Sequence, residues 1–131
     1  MPSTSPVAPP SKIMVWSGRV ISTLIVALLL MSASFKLMKS KDAVEGLAKA
    51  GYPESSLVPI GVTEIACAVL YAIPPTSVLG AILVTGYLGG ATATHVILGQ
   101  SVVPPVVIGM LAWLGLFLRD PRIRALIPLK R

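Results

Sequence analysis

The chain has 131 residues, 54% of them hydrophobic and only 12% charged, with a formal net charge of +6 and a mean hydropathy of +0.84. That balance lies outside the soluble range and predicts a chain solvated by lipid. Once membrane spans are subtracted, the length excludes a separate soluble catalytic unit. The eleven basic residues are scattered through loops and helix ends, where they suit lipid headgroups rather than nucleic acid.

In chain order, Met1 to Ser11 carries four of the twelve prolines and predicts a flexible tail, taken as residues 1–12. The remainder, 13–131, is expected to form one membrane domain. Its apolar runs cover about 20–38, 57–73, 77–98 and 102–118. A bilayer core needs roughly 20 helical residues, so the second and fourth runs lie near the lower limit. Helices are the only economical reading, because an open sheet would leave backbone groups unpaired in lipid. Lys12, Arg19, the apolar stretch to Met31 and the small pair Ser32 and Ser34 also fit a cleaved signal peptide. The apolar continuation through Phe35, Leu37 and Met38 favours an uncleaved span.

Between the first two runs, Asp42, Glu45 and Gly51 surround Val44, Leu47 and Ala48, predicting a short Asp-capped helix that ends at glycine. Pro74 and Pro75 break the chain between runs two and three, and Gly99 to Ser101 between three and four, as tight hairpins. The expected fold is therefore all-α: a four-helix transmembrane bundle with a short extramembrane helix between the first and second spans. Four spans put both termini on one side. Lys12, Arg19, Arg119, Arg122, Arg124, Lys130 and Arg131 lie there, against Lys36, Lys39, Lys41 and Lys49 opposite. The excess predicts cytoplasmic termini in a cell membrane.

Ionisable groups at membrane depth need a reason. Glu64 lies seven residues into the second run and His95 near the end of the third. By helical rise these depths are ~10 Å and ~5 Å from the same end, within reach of Lys36 on its flexible stem. The spacing of Glu64 and Tyr71, and of Thr85, Thr92 and His95, predicts polar stripes facing inward. The plainer readings are that Glu64 ties helices together, that His95 is an interfacial histidine, and that Lys36 is a membrane anchor. Thr85 and Thr92 would then bond their own preceding carbonyls. Gly86 and Gly90 form a small-xxx-small pattern, expected to pack another helix of the chain or a second copy. With one cysteine and one histidine, a bis-His haem, an iron–sulfur cluster and a four-thiolate zinc site are excluded.

The segments GYP at Gly51 to Pro53, IGVTE at Ile60 to Glu64, LYAIP at Leu70 to Pro74 and LGAILVTGYLGGATATH at Leu79 to His95 resemble the DoxX-like family. The resemblance runs from about Ser32 to Leu129 and implies a four-helix membrane bundle. By that resemblance Lys36, Glu64, Tyr71, Thr85, Tyr87, Thr94 and His95 occupy characteristic polar positions. Pro75 and Ile97 depart from it, standing where relatives often carry a basic residue. The family name derives from a small membrane subunit associated with quinone-linked sulfur oxidation, so a quinone is the cofactor candidate and a membrane redox protein the partner candidate.

The leading expectation is an accessory module, not an enzyme by itself. It would bind a quinone or lipid at a site of Lys36, Glu64, Tyr71, Thr85, Tyr87, Thr92 and His95. The competing expectation is an assembly component of a membrane complex, with no ligand chemistry of its own. A transporter is disfavoured, since no inverted repeat is visible.

Overall fold

The computed structural model describes residues 11–126, all of whose regular structure is helical. Six α-helices follow in order: α1 (Lys12–Leu37), α2 (Lys41–Lys49), α3 (Leu57–Ala72), α4 (Ser77–Ile97), α5 (Val103–Arg119) and α6 (Pro121–Leu126). Short 3-10 turns at Glu54–Ser56 and Pro74–Thr76 lead into α3 and α4. Three helical stretches are long and apolar enough to cross a membrane, Lys12–Leu37, Glu54–Ala72 and Pro74–Ile97; α5 is apolar but has 17 residues.

Most of the expected tail lies outside the described residues. Its last two residues form the start of α1: Ser11 caps the helix by accepting from the Met14 amide at 3.1 Å, and Lys12 opens it. The helix thus starts well before Val20, because Ile13 to Trp16 continue the apolar run and Arg19 stays on the exposed side. The Arg19 guanidinium sits 5.2 Å from the Trp16 ring centroid. With 26 residues, α1 is ~39 Å long and overshoots a ~30 Å hydrocarbon core. Removing the first 34 residues would strip Ser22, Ile25, Leu29 and Ala33 from the core.

The cap of α2 corrects the sequence reading: Ser40, not Asp42, accepts from the Ala43 amide, and Asp42 lies in the first turn. There its charge still faces the favourable end of the helix dipole. The expected stop at Gly51 is present, with φ of +91° and the Tyr52 amide reaching back to Leu47 O at 3.0 Å. Gly99 ends α4 in the same manner at φ +69°, and Lys39 ends α1 at φ +51°. A side chain in that left-handed region is unusual.

The long helices pack in a ring in which α1 touches α3 and α5, and α4 touches the same two. Glycines set the close approaches. A Cβ on Gly18 would run into the backbone of Gly115 and Arg119, one on Gly61 into Ala33 and Leu37, and one on Gly80 into the Tyr71 backbone. Ile25, Leu29, Ala68, Tyr71, Val84 and Leu116 fill the centre. The outward faces carry Leu24, Val62, Leu79, Ile82 and Met110, all more than half exposed. Large apolar groups outside and small ones at the contacts are the pattern of helices packed in lipid.

Candidate functional site

One end of the ring gathers the C-termini of α1 and α4, the N-termini of α3 and α5, and α2 across them. Lys36, in the last turn of α1, donates to Ser32 Oγ one turn back at 2.7 Å and to Glu64 Oε2 at 2.8 Å. The Glu64 residue is 1% exposed, and the Lys36 side chain 15%. From α4, Tyr87 donates its hydroxyl to the same Glu64 oxygen at 2.8 Å, and the Lys36 ammonium stands 5.8 Å from the Tyr87 ring centroid. A carboxylate at this depth thus has a cation and a phenol as direct partners, which is what its burial requires.

His95 lies one helical turn beyond Ala91, with Nδ1 2.6 Å from the Ala91 carbonyl. A carbonyl only accepts, so Nδ1 carries the proton. Thr94 lies beside it. Its hydroxyl proton goes to Gly90 O at 2.9 Å, so in the 3.2 Å contact with Tyr52 the tyrosine is the donor. These groups border a cavity of about 510 Å³ whose walls include Ser32, Lys36, Glu64, Tyr87 and His95 with Leu28, Leu29, Ile60, Pro105 and Ile108. Leu47 of α2 and Tyr52 also line it. A mostly apolar hollow with a few convergent polar groups is the form of a small-molecule site.

The structure thus brings together Lys36, Glu64, Tyr87 and His95, and places the other three candidates elsewhere. Tyr71 shares the buried face of α3 with Glu64 but sits two turns further along, ~10 Å away. There its hydroxyl donates to Ala112 O at 2.6 Å and accepts from Ser22 at 3.1 Å, while Arg119 donates to its carbonyl and stacks 4.9 Å from its ring centroid. This is an internal tie of α1, α3 and α5. Thr85 and Thr92 donate to Ala81 O and Leu88 O, and Thr85 also accepts from the Trp113 indole at 2.7 Å. Both face a shallow groove between α4 and α5.

Gly86 and Gly90 pack no other helix of the chain among the described residues, which leaves the second copy as the remaining form of that expectation. Both are exposed, a Cβ on either would meet nothing within 4 Å, and both line the cavity. The glycines set tightly against a neighbour are Gly18, Gly61, Gly80 and Gly115. Two residues lining the site, Ser32 and Tyr52, escaped the sequence reading as site residues. Ser32 was signalled by its i, i+4 spacing to Lys36 and Tyr52 by its place after the Gly51 stop, whereas Thr94 was marked only by family resemblance.

At the opposite end α6, also missed, follows an Asp120-Pro121 step that signals a capped helix start. Asp120 accepts from the Arg122 amide at 2.9 Å and from its guanidinium at 2.7 Å, and Arg122 also donates to Pro74 O across the α3–α4 turn. The Arg122 hydrogen bonds hold the Asp120 carboxyl below the usual range.

Residues 20–115 match the model of the DoxX-like family, which is well over half of the chain. No curated protein and no solved structure matches it.

Proposed function

From the premise that this chain belongs to the DoxX-like family of small membrane proteins, we propose that it is an accessory module that holds a lipophilic molecule, a quinone or lipid, in the cavity beside Glu64. The observation that carries this reading is a buried Glu64 carboxylate, held by half-buried Lys36 and Tyr87, beside an apolar hollow walled by all four long helices. A purely structural ion pair has no need of such a hollow. In this reading α5 is a fourth span, its 17 residues giving ~26 Å of helix. Both termini are cytoplasmic, on the side of Arg119, Arg122 and Arg124.

For a quinone, Lys36 and Ser32 offer donors to a ring carbonyl, and Glu64 and His95 a route for a proton. Electrons would have to come from a membrane redox partner, because one histidine gives no bis-His haem pair and one cysteine no iron–sulfur cluster. The test is to purify wild type and Glu64→Gln in lipid nanodiscs and compare isoprenoid quinone and lipid retained per protein by mass spectrometry. Enrichment in wild type that is lost in the folded variant is expected. Equal content at the bulk-lipid level would return Glu64 to a packing role.

A further inference from the structure

The hydrogens on the cavity wall specify the occupant more closely than its volume does. Glu64 receives both of its donors, Lys36 and Tyr87, on Oε2, and no group among the described residues donates to Oε1. His95 spends its Nδ1 proton on Ala91 O, so a neutral ring keeps a lone pair at Nε2 that no donor among those residues reaches. Neither atom is sealed inside protein, and both residues border the cavity. The phenol protons of Tyr87 and Tyr52 are already committed to Glu64 and Thr94. The wall contributed by α3 and α4 is thus left with acceptors, while the remaining donors, the Ser32 hydroxyl and the third Lys36 proton, stand on α1.

A group that donates one way and accepts the other satisfies both walls, and a hydroxyl does this. A carbonyl or an ether leaves Oε1 and Nε2 without a partner, which is costly in a dry site. Charge narrows the class further. Lys36 and Glu64 cancel, so a phosphate meets no unpaired cation and an ammonium meets Lys36. The side of the cavity at Gly86 and Gly90 is open on the exposed face of α4, which gives an alkyl or isoprenoid chain a way out into lipid.

Building on the reading above, we infer that the cavity takes a neutral lipophile bearing a free alcohol or phenol, its single hydroxyl proton offered to the two acceptors Glu64 Oε1 and His95 Nε2, one of which it satisfies at a time, and its chain passing Gly86 and Gly90. The test uses the full chain in nanodiscs, without oxygen, with three probes of one shape: a decyl-substituted benzohydroquinone, its dimethyl ether and the corresponding quinone. Retention of the hydroquinone is expected to exceed that of the ether by about tenfold or more, the worth of one hydrogen bond to an ionised acceptor. The quinone should fall between them, since it can accept from α1 but cannot donate.

His95→Phe should shrink the preference for hydroquinone over ether, and a preference unchanged in the folded variant would overturn the role of Nε2. Gly90→Leu, at a position with free space, should fold and lower retention of all three probes; undiminished retention would overturn the chain path. Equal retention of hydroquinone and ether by wild type would overturn the hydroxyl requirement while leaving a lipophile site in place. Retention of no probe above that of protein-free nanodiscs would defeat the underlying reading as well.

Discussion

The Lys36–Glu64 pair offers the sharpest test of the packing argument, because its two partners are unequally able to escape. Lys36 lies in the last turn of α1 with 15% of its side chain exposed, whereas the Glu64 side chain is 2% exposed on the second turn of α3. In Lys36→Met the carboxylate keeps only Tyr87, and breaking a buried pair from that side should cost about 3 kcal/mol. In Glu64→Gln the amide still accepts from Tyr87, and the lysine can extend toward the interface, so the loss should be only about 1 kcal/mol. The double variant removes both charges. It should lose about 2 kcal/mol rather than the sum of roughly 4, a coupling of about 2 kcal/mol. Unfolding of the micelle-bound protein by graded SDS, followed by circular dichroism, measures all four states. Strictly additive losses, or a larger loss in Glu64→Gln than in Lys36→Met, would refute this account.

Tyr71→Phe deletes a hydroxyl that donates to Ala112 O and accepts from Ser22; the same titration should show a loss of about 1–3 kcal/mol for the stranded polar groups, with probe retention unchanged. Gly80→Val should abolish the folded state or shift its midpoint strongly, since a Cβ there meets the Tyr71 backbone, whereas Gly86→Ala should leave the midpoint unmoved; similar midpoints for the two would contradict the assigned contacts. Lys39→Gly should stabilise by up to about 1 kcal/mol by relieving a side chain at positive φ, and a destabilised variant would count against that cap. The depressed Asp120 carboxyl contributes stability that is present above its ordinary value of 3.8 and lost as pH falls through its lower folded value. Asp120→Asn should therefore flatten the acid limb of the stability curve below about pH 4, and an acid limb identical to wild type would exclude that contribution.

Segments and turns were legible because lipid imposes them. Runs of apolar residues long enough to span must be helices, and Pro74, Pro75 and Gly99 can scarcely be anything but breaks. The shared depth of Lys36, Glu64 and His95 was also legible, since rise per residue fixes it. Rotation was not. A helix apolar all round has no amphipathic face to orient it, so nothing local separated Glu64 from Tyr71, although the two lie in different networks. The glycines show the same limit: Gly86 and Gly90 have the packing spacing but face open space, while Gly80 meets the end of the preceding helix at Tyr71 and Gly115 meets Ile21 and Ser22 from the far end of the chain. A serine one residue before a lysine-led helix outcompeted the acidic Asp42 as its cap, a choice that only the chain's entry angle decides.

The broadest helix contact in the ring joins α1 to α5, and its tightest point sets Gly18 against Gly115 and Arg119. Ninety-seven positions separate Gly18 from Gly115. During synthesis at about 5–20 residues per second, α1 therefore waits on the order of 5–20 s for that partner. In the interval its Gly18 face is bare while α3, which emerges earlier, holds the other side. If helices pair as they emerge, the chain order and these contacts give a sequence in which α1 meets α3, the α3–α4 hairpin follows, and the arrival of α5 closes the ring. Ribosome-bound chains ending before Gly115 would be the form most exposed to membrane quality control.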